Sequence, residues 1–274
     1  MSLKLDGPLL IAGAGKMGGA LIEGLLARGL PAHQIIIQDP APPPEIAQFL
    51  QKHAIRTEAT ITSLAAPPSL ILMAVKPQLM DQVFAPLAKL AGPKTVVLSI
   101  AAGKTLASFE HHLMPGIAVI RAMPNTPAQV GRGVTACVAN SAASADQKAM
   151  ASALLSAVGE VVWLEREDDM DAVTAVSGSG PAYVFLVAEC LAEAGRKVGL
   201  SPELAQSLAR ATVAGAGELL HRSDLDAATL RQNVTSPGGT TAAALAVLMG
   251  QPGLQDLMTD AVAAAVRRSG ELSK

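Results

Sequence analysis

Residues 9–18 read Leu9-Leu10-Ile11-Ala12-Gly13-Ala14-Gly15-Lys16-Met17-Gly18. A short apolar run, too short for a helix, passes into G-x-G-x-x-G. A helical pattern with apolar residues at 17, 21, 22 and 25 then follows over 16–28. A strand, a glycine turn and a helix in that order form a phosphate cradle. Gly13 permits the tight turn, Gly15 lets a pyrophosphate approach the backbone, and Gly18 lets helix and strand pack closely. The helix start adds N–H groups without intrahelical partners and the positive end of the dipole. The next apolar run, 35–38, ends in Asp39, 21 residues beyond Gly18. An acid at that distance accepts hydrogen bonds from ribose hydroxyls and repels a 2′-phosphate. No arginine follows it to compensate, because residues 40–44 are Pro-Ala-Pro-Pro-Pro. A packed turn at the glycines and an exposed turn acid at Asp39 are the plainer alternatives.

Working outward, further apolar runs over 70–75, 96–100, 118–121, 134–138 and 161–164 predict strands, with amphipathic helices over 45–53 and 78–90 between the early ones. Such alternation predicts a parallel sheet covered by helices on both faces. Beyond about residue 165 the strand signal stops. Helical periodicity predicts helices over 181–198, 202–221, 240–249 and 254–271, with Ser201 capping the second and Pro202 in its first turn. The expected fold class is therefore α/β: a Rossmann-type dinucleotide-binding domain over 1–164, then an all-α domain over 165–274. The helical half is rich in small residues, among them Ala211, Ala214, Gly215, Ala216 and Gly217. It has little aliphatic bulk for a core of its own, which predicts an obligate dimer.

Composition narrows the function. Half of the 274 residues are hydrophobic, and 21 basic residues meet 23 acidic ones, for a net charge of −2. No basic excess points to nucleic acid. Aromatics form only 2% of the chain, too few for base-stacking platforms. Cys137 and Cys190 stand far apart without zinc-like spacing, and no histidine joins a motif, so neither a metal site nor a Ser/His/Asp constellation is expected. Residues 1–7 lack a signal-peptide apolar core, and no stretch of about 20 uninterrupted apolar residues suggests a membrane span. A cytoplasmic protein with reduced thiols is expected.

Several motifs remain: Ala74-Val75-Lys76-Pro77, Ser99-Ile100-Ala101-Ala102-Gly103, Arg121-Ala122-Met123-Pro124-Asn125-Thr126-Pro127, Asp171 to Tyr183 as DAVTAVSGSGPAY, and Asn233-Val234-Thr235-Ser236-Pro237-Gly238-Gly239-Thr240-Thr241. Together with Gly13 to Met17 they resemble the pyrroline-5-carboxylate reductases over nearly the whole chain. The resemblance implies reduction of L-1-pyrroline-5-carboxylate to L-proline with NADPH or NADH. It also implies a helical homodimer, often gathered into a larger ring such as a decamer. It places Gly13, Ala14, Gly15, Lys16, Met17, Asp39, Ala74, Val75, Lys76, Pro77, Ala101, Ala102, Gly103 and Asn125 along the cofactor. Lys76 is read as part of that lining rather than as an acid, and Asn125 as either a donor to the nicotinamide amide or an Asx turn. Asn233, Ser236, Gly238, Gly239 and Thr240 would surround the substrate carboxylate, and the Thr241 hydroxyl would face the ring nitrogen as the one catalytic side chain. A turn opening a helix suits a carboxylate on physical grounds too, with plain capping by Ser236 and Thr240 as the alternative. A protonated imine is already electrophilic, so hydride transfer mainly requires alignment of the reacting carbons.

Two rivals stay in view. A β-hydroxyacid dehydrogenase would show a lysine soon after the glycine-rich helix start, whereas no lysine follows Pro181 until Lys197. A non-catalytic dinucleotide sensor would need the first glycine turn but not Ser236 to Thr241.

Overall fold

The computed structural model describes residues 5–272. The segment 1–4, part of the stretch that showed no signal-peptide pattern, lies outside the described residues. Eight strands form one sheet: β1 Leu9–Ala12, β2 Ile35–Gln38, β3 Arg56–Glu58, β4 Leu70–Met73, β5 Val96–Ser99, β6 Ala118–Met123, β7 Gly133–Ala139 and β8 Gly159–Trp163. Their order is β3-β2-β1-β4-β5-β6-β7-β8. The first six run parallel, from Ile36 opposite Arg56 at one edge to Val96 opposite Ala118 in the middle. β7 departs from the all-parallel expectation and lies antiparallel to β6, with β8 parallel to β7. Only residues 124–132 separate β6 from β7. A parallel crossover needs a dozen or more residues, so this link turns the chain back on itself.

Five helices accompany the first seven strands and the start of the eighth: α1 Lys16–Ala27, α2 Pro44–Lys52, α3 Met80–Ala88, α4 Leu106–Glu110 and α5 Ala145–Leu155. Side chains alternate along each strand, which divides the apolar runs between two cores. Leu9, Ile11, Ile35, Ile37, Leu70, Leu72, Val96 and Leu98 pack with Leu21, Ile22 and Leu25 of α1 and Leu154 and Leu155 of α5. Leu10, Ala12, Ile71, Met73, Val97 and Val119 pack with Phe84 of α3 and Phe109 of α4. The two rings meet edge-on at 5.1 Å.

After β8 come a short α6 Met170–Val173, a π-helical turn Thr174–Gly178 and α7 Gly180–Lys197. Then follow α8 Pro202–Arg222, α9 Ala227–Asn233, α10 Thr240–Leu248 and α11 Leu254–Leu272. Ser201 caps α8 by accepting the Leu204 N–H at 3.3 Å. α7 and α8 approach closely where Gly195 meets Ala205; a Cβ on the glycine would lie 3.2 Å from that of the alanine. The chain divides into two compact units. One holds residues up to Gly178 together with those from Val266 onward, and the other spans Ser179–Ala265. The change from strands to helices in the sequence falls earlier, between residues 164 and 165. The helical stretch Glu167–Lys197 is, by length and composition, long and apolar enough to cross a membrane. Its last two turns carry Glu193, Arg196 and Lys197.

Candidate active site

The glycine turn is built by backbone contact. Gly13 takes φ +94°, and a Cβ there would lie 2.7 Å from the Ala74 carbonyl oxygen. A Cβ on Gly18 would run into the Gly13 carbonyl. These two glycines are required by close packing. Gly15 is different: nothing stands within 4 Å of where its Cβ would be. It is the N-cap of α1, and no side chain caps the helix there. An open cradle at a helix start with N–H groups unclaimed by side chains suits a pyrophosphate. The residues thus fit a dinucleotide.

Asp39 closes this turn from the side. Its Oδ2 accepts the Ala14 N–H at 2.7 Å and its Oδ1 accepts the Ala41 N–H at 2.9 Å. The carboxylate is therefore fixed against the glycine turn, unlike a loose turn residue. The strand ends place the next group. Ala74 donates its N–H to Ala12 and Ile100 to Met73, which lines up residues 74–77 and 101–103 beyond the carboxyl ends of β4 and β5. Ala101 is buried, Ala102 is exposed and Gly103 takes φ +74°. Lys76 is exposed at the start of a 3₁₀ turn.

Asn125 has its partners within the protein. Its Oδ1 accepts the Val134 N–H at 2.9 Å, and its Nδ2 lies 3.3 Å from both the carbonyl and the hydroxyl oxygen of Ser177. Neither bond is an Asx turn; the residue ties the β6–β7 link to the π-helical turn. Sequence reasoning gave no role to two further features. Arg121, buried on β6, pairs through Nη1 with Glu167 Oε1 at 2.9 Å, and the same oxygen accepts the Leu106 N–H. At the other end of the chain, Ser269 donates to Asp171 Oδ1 at 2.6 Å, and the Leu272 carbonyl would lie 3.2 Å from a Cβ on Gly103. The last turn of α11 therefore rests on the loop 101–103. Arg121, Asp171 and Gly103 stand in motifs quoted above, but their partners Glu167, Ser269 and Leu272 carry no local sequence signal.

The second turn of interest lies in the helical unit. Asn233 ends α9, whose N-cap is Asp226. Asp226 accepts the Thr229 N–H at 2.7 Å, and that bond, then the Thr229 hydroxyl, holds its carboxyl below the usual carboxylate range. The chain turns through Ser236, with the Gly239 N–H on the Ser236 carbonyl at 3.0 Å and Gly238 at φ +71°. The capping alternative is corrected here: Gly239 is the N-cap of α10, and neither Ser236 nor Thr240 caps it with a side chain. A glycine provides no side-chain acceptor, so the first N–H groups of α10 are left for another partner. Thr241 lies in this first turn, half-buried.

A groove of about 850 Å³ between α7 and α8, lined by Val184, Phe185, Ala192, Arg196, Arg210 and Val213, contains none of these residues. It continues the exposed apolar face of the helices. Among the described residues no cluster of His, Cys, Asp or Glu is placed to hold a metal ion.

Comparison with known proteins gives two family matches. Residues 167–272 match the pyrroline-5-carboxylate reductase dimerisation domain, and residues 9–103 match the coenzyme F420-dependent NADP oxidoreductase family. A pyrroline-5-carboxylate reductase of Synechocystis sp. is 44% identical over 276 residues, covering 100% of both chains. That of Pseudomonas aeruginosa is 42% identical over 262 residues, 96% of this chain and 95% of its own. The solved pyrroline-5-carboxylate reductase of Coxiella burnetii superposes with a TM-score of 0.90 at 35% identity, covering 98% of this chain and 99% of that one. The Plasmodium falciparum enzyme, solved with NADP bound, superposes at 0.80 with 28% identity and the same coverage.

Proposed function

The chain belongs to the pyrroline-5-carboxylate reductase family, and from that premise we propose how its residues divide the work. It is an NAD(P)H-dependent reductase of proline biosynthesis that converts L-1-pyrroline-5-carboxylate to L-proline. When bound, the reduced dinucleotide, NADH or NADPH, supplies the hydride. Everything else falls to this chain. Gly13, Ala14, Gly15, Lys16 and Met17 hold the pyrophosphate, and Asp39 accepts from a ribose hydroxyl. Ala74, Val75, Lys76 and Pro77, with Ala101, Ala102 and Gly103, form the lining toward the nicotinamide, small enough for a ring to lie along the backbone. Asn125 supports that lining through Ser177 and Val134.

In the helical unit, the N–H groups at the start of α10 receive the substrate carboxylate, with Ser236, Gly238, Gly239 and Thr240 shaping the seat and Asn233 leading into it. Thr241 Oγ1 accepts a hydrogen bond from the protonated ring nitrogen, which holds the proton on the imine while its carbon is reduced. The observation that carries this reading is that two helices, α1 and α10, begin at glycines with no side-chain cap. One suits a pyrophosphate and the other a carboxylate.

The oligomer is a homodimer in this reading, formed over residues 182–269, with dimers gathering into a decamer. Its compartment is the cytoplasm, where reduced nicotinamide dinucleotides are at hand. Titrating L-proline and L-prolinamide into the full chain tests the carboxylate seat. L-prolinamide, which lacks the charge, is expected to bind at least about tenfold more weakly. Equal affinity would remove the seat from α10.

A further inference from the structure

We infer that Asp39 makes this chain select NADH over NADPH, through a fixed negative charge that no cation among the described residues offsets. The inference rests on the reading of residues 13–18 as the dinucleotide cradle. It is not implied by the comparisons, since the Plasmodium falciparum relative was solved with NADP.

Three observations support it. The first is that the carboxylate cannot turn away. Its two oxygens are held by backbone N–H groups of different segments, Ala14 on the glycine turn and Ala41 beyond β2, and its own N–H donates to the Glu58 carbonyl at 3.0 Å. Each oxygen keeps a lone pair for a further donor. A ribose 2′-hydroxyl can supply that donor. A 2′-phosphate offers only acceptors and brings about two negative charges.

The second observation concerns the following segment. Pro40, Ala41, Pro42, Pro43 and Pro44 carry no charged side chain. An enzyme that takes NADPH commonly supplies an arginine near this point. The third concerns the neighbouring strand. Arg56 on β3 is the nearest cation along the sheet register, and it is engaged by Glu58 Oε1 at 2.6 Å. Releasing it to a phosphate would leave the Glu58 charge beside Asp39. The other polar side chain at this strand end, Gln38, is buried and accepts the Ile61 N–H at 2.7 Å. Lys16 is the first residue of α1, at the pyrophosphate end of the cradle.

The test is direct binding of NADH and NADPH to the full chain, without substrate, by titration calorimetry at low and high salt. NADH is expected to bind at least about tenfold more tightly than NADPH, with the ratio shrinking as salt screens the repulsion. Asp39→Asn keeps an acceptor for the Ala14 N–H and removes the charge. It should bring the two affinities within about threefold, mainly by tightening NADPH. Glu58→Gln, which frees Arg56, should tighten NADPH as well. Equal or tighter NADPH binding by the unaltered chain overturns the inference and leaves the cradle standing. So does an Asp39→Asn protein that binds NADH and keeps the original ratio. Failure of both dinucleotides to bind the folded, unaltered chain would instead remove the cradle itself. Should Asp39→Asn not fold, the ratio of the unaltered chain and its salt dependence still decide the matter.

Discussion

The sheet region and the helical region are built from similarly apolar sequence and dispose of it in opposite ways. In the first, Leu9, Ile11, Ile35, Leu70, Leu72, Val96 and Leu98 are wholly buried within one chain. In the second, helices α7 to α11 bury only Ala205 and Ala209 of α8. Phe185 is 63% exposed, Leu219 65% and Val247 77%. Gly215 and Gly217 face open space, unlike Gly195, which meets α8. Contiguous apolar exposure on this scale marks an interface. The contrast teaches that hydrophobic content says how much surface must be buried, not within which molecule. This second region lies within the dimerisation match, 167–272.

The strongest challenge to that contrast is a charge on the exposed helical face. Phe185→Glu should shift the chain to monomer, weakening association by at least about 30-fold, and remove most activity. Sedimentation that still shows the parent oligomer would break the comparison. Its counterpart in the sheet is Leu72→Ala. This should cost about 2–5 kcal/mol of unfolding free energy, read by chemical denaturation, while leaving assembly intact at native conditions.

Thr241→Ala comes next. It should lower kcat/KM by about 10–100-fold, about 1.4–2.7 kcal/mol, the scale of one hydrogen bond to a charged group. Thr241→Ser should keep most activity, and dinucleotide affinity should not change for either. Near-full activity in a folded Thr241→Ala protein would return Thr241 to a structural role. The smallest effect sharpens the comparison with two thiols. Burial pushes Cys137 up to about 12, so it should resist alkylation at neutral pH in every assembly state. Cys190 is exposed on α7. It should react readily in the Phe185→Glu monomer and several-fold more slowly in the oligomer. Equal rates would place Cys190 outside the interface.

Much of the fold was legible because its signals are local. β1 and β2 lie on the residues their apolar runs mark out, and the α8 cap sits on Ser201. Where a signal was local but polar, it was passed over. β3 is Arg-Thr-Glu at the sheet edge, where charge guards against further pairing and no apolar alternation is needed. α5 was announced by the capping box of Ser144 and Gln147. The direction of β7 was a matter of link length. The π-helical turn was hidden in Thr174–Gly178, because such turns carry no distinct composition. Within the candidate site, residue positions followed from motifs, but partners did not. That the Asp39 carboxylate braces the Ala14 N–H, that Asn125 spends its amide on Ser177, and that no side chain caps α10 at Gly239 depend on tertiary placement that no spacing rule reports.

The last turn of α11 bears on how the protein is made. The sheet unit includes residues from Val266 onward, and Leu272 rests against Gly103. A ribosome delivers the chain from its N-terminus at about 5–20 residues per second, and domains tend to fold as they emerge. Here the strands and the glycine turn are all synthesised long before the piece that seats the loop 101–103. The nascent sheet can form early, but the loop 101–103 lacks its support until Val266 to Leu272 have been made. A chain lacking Val266 to Leu272 would thus carry Gly13 to Gly18 without that support, and the loss should be felt at the loop 101–103, more than 160 residues earlier in the sequence.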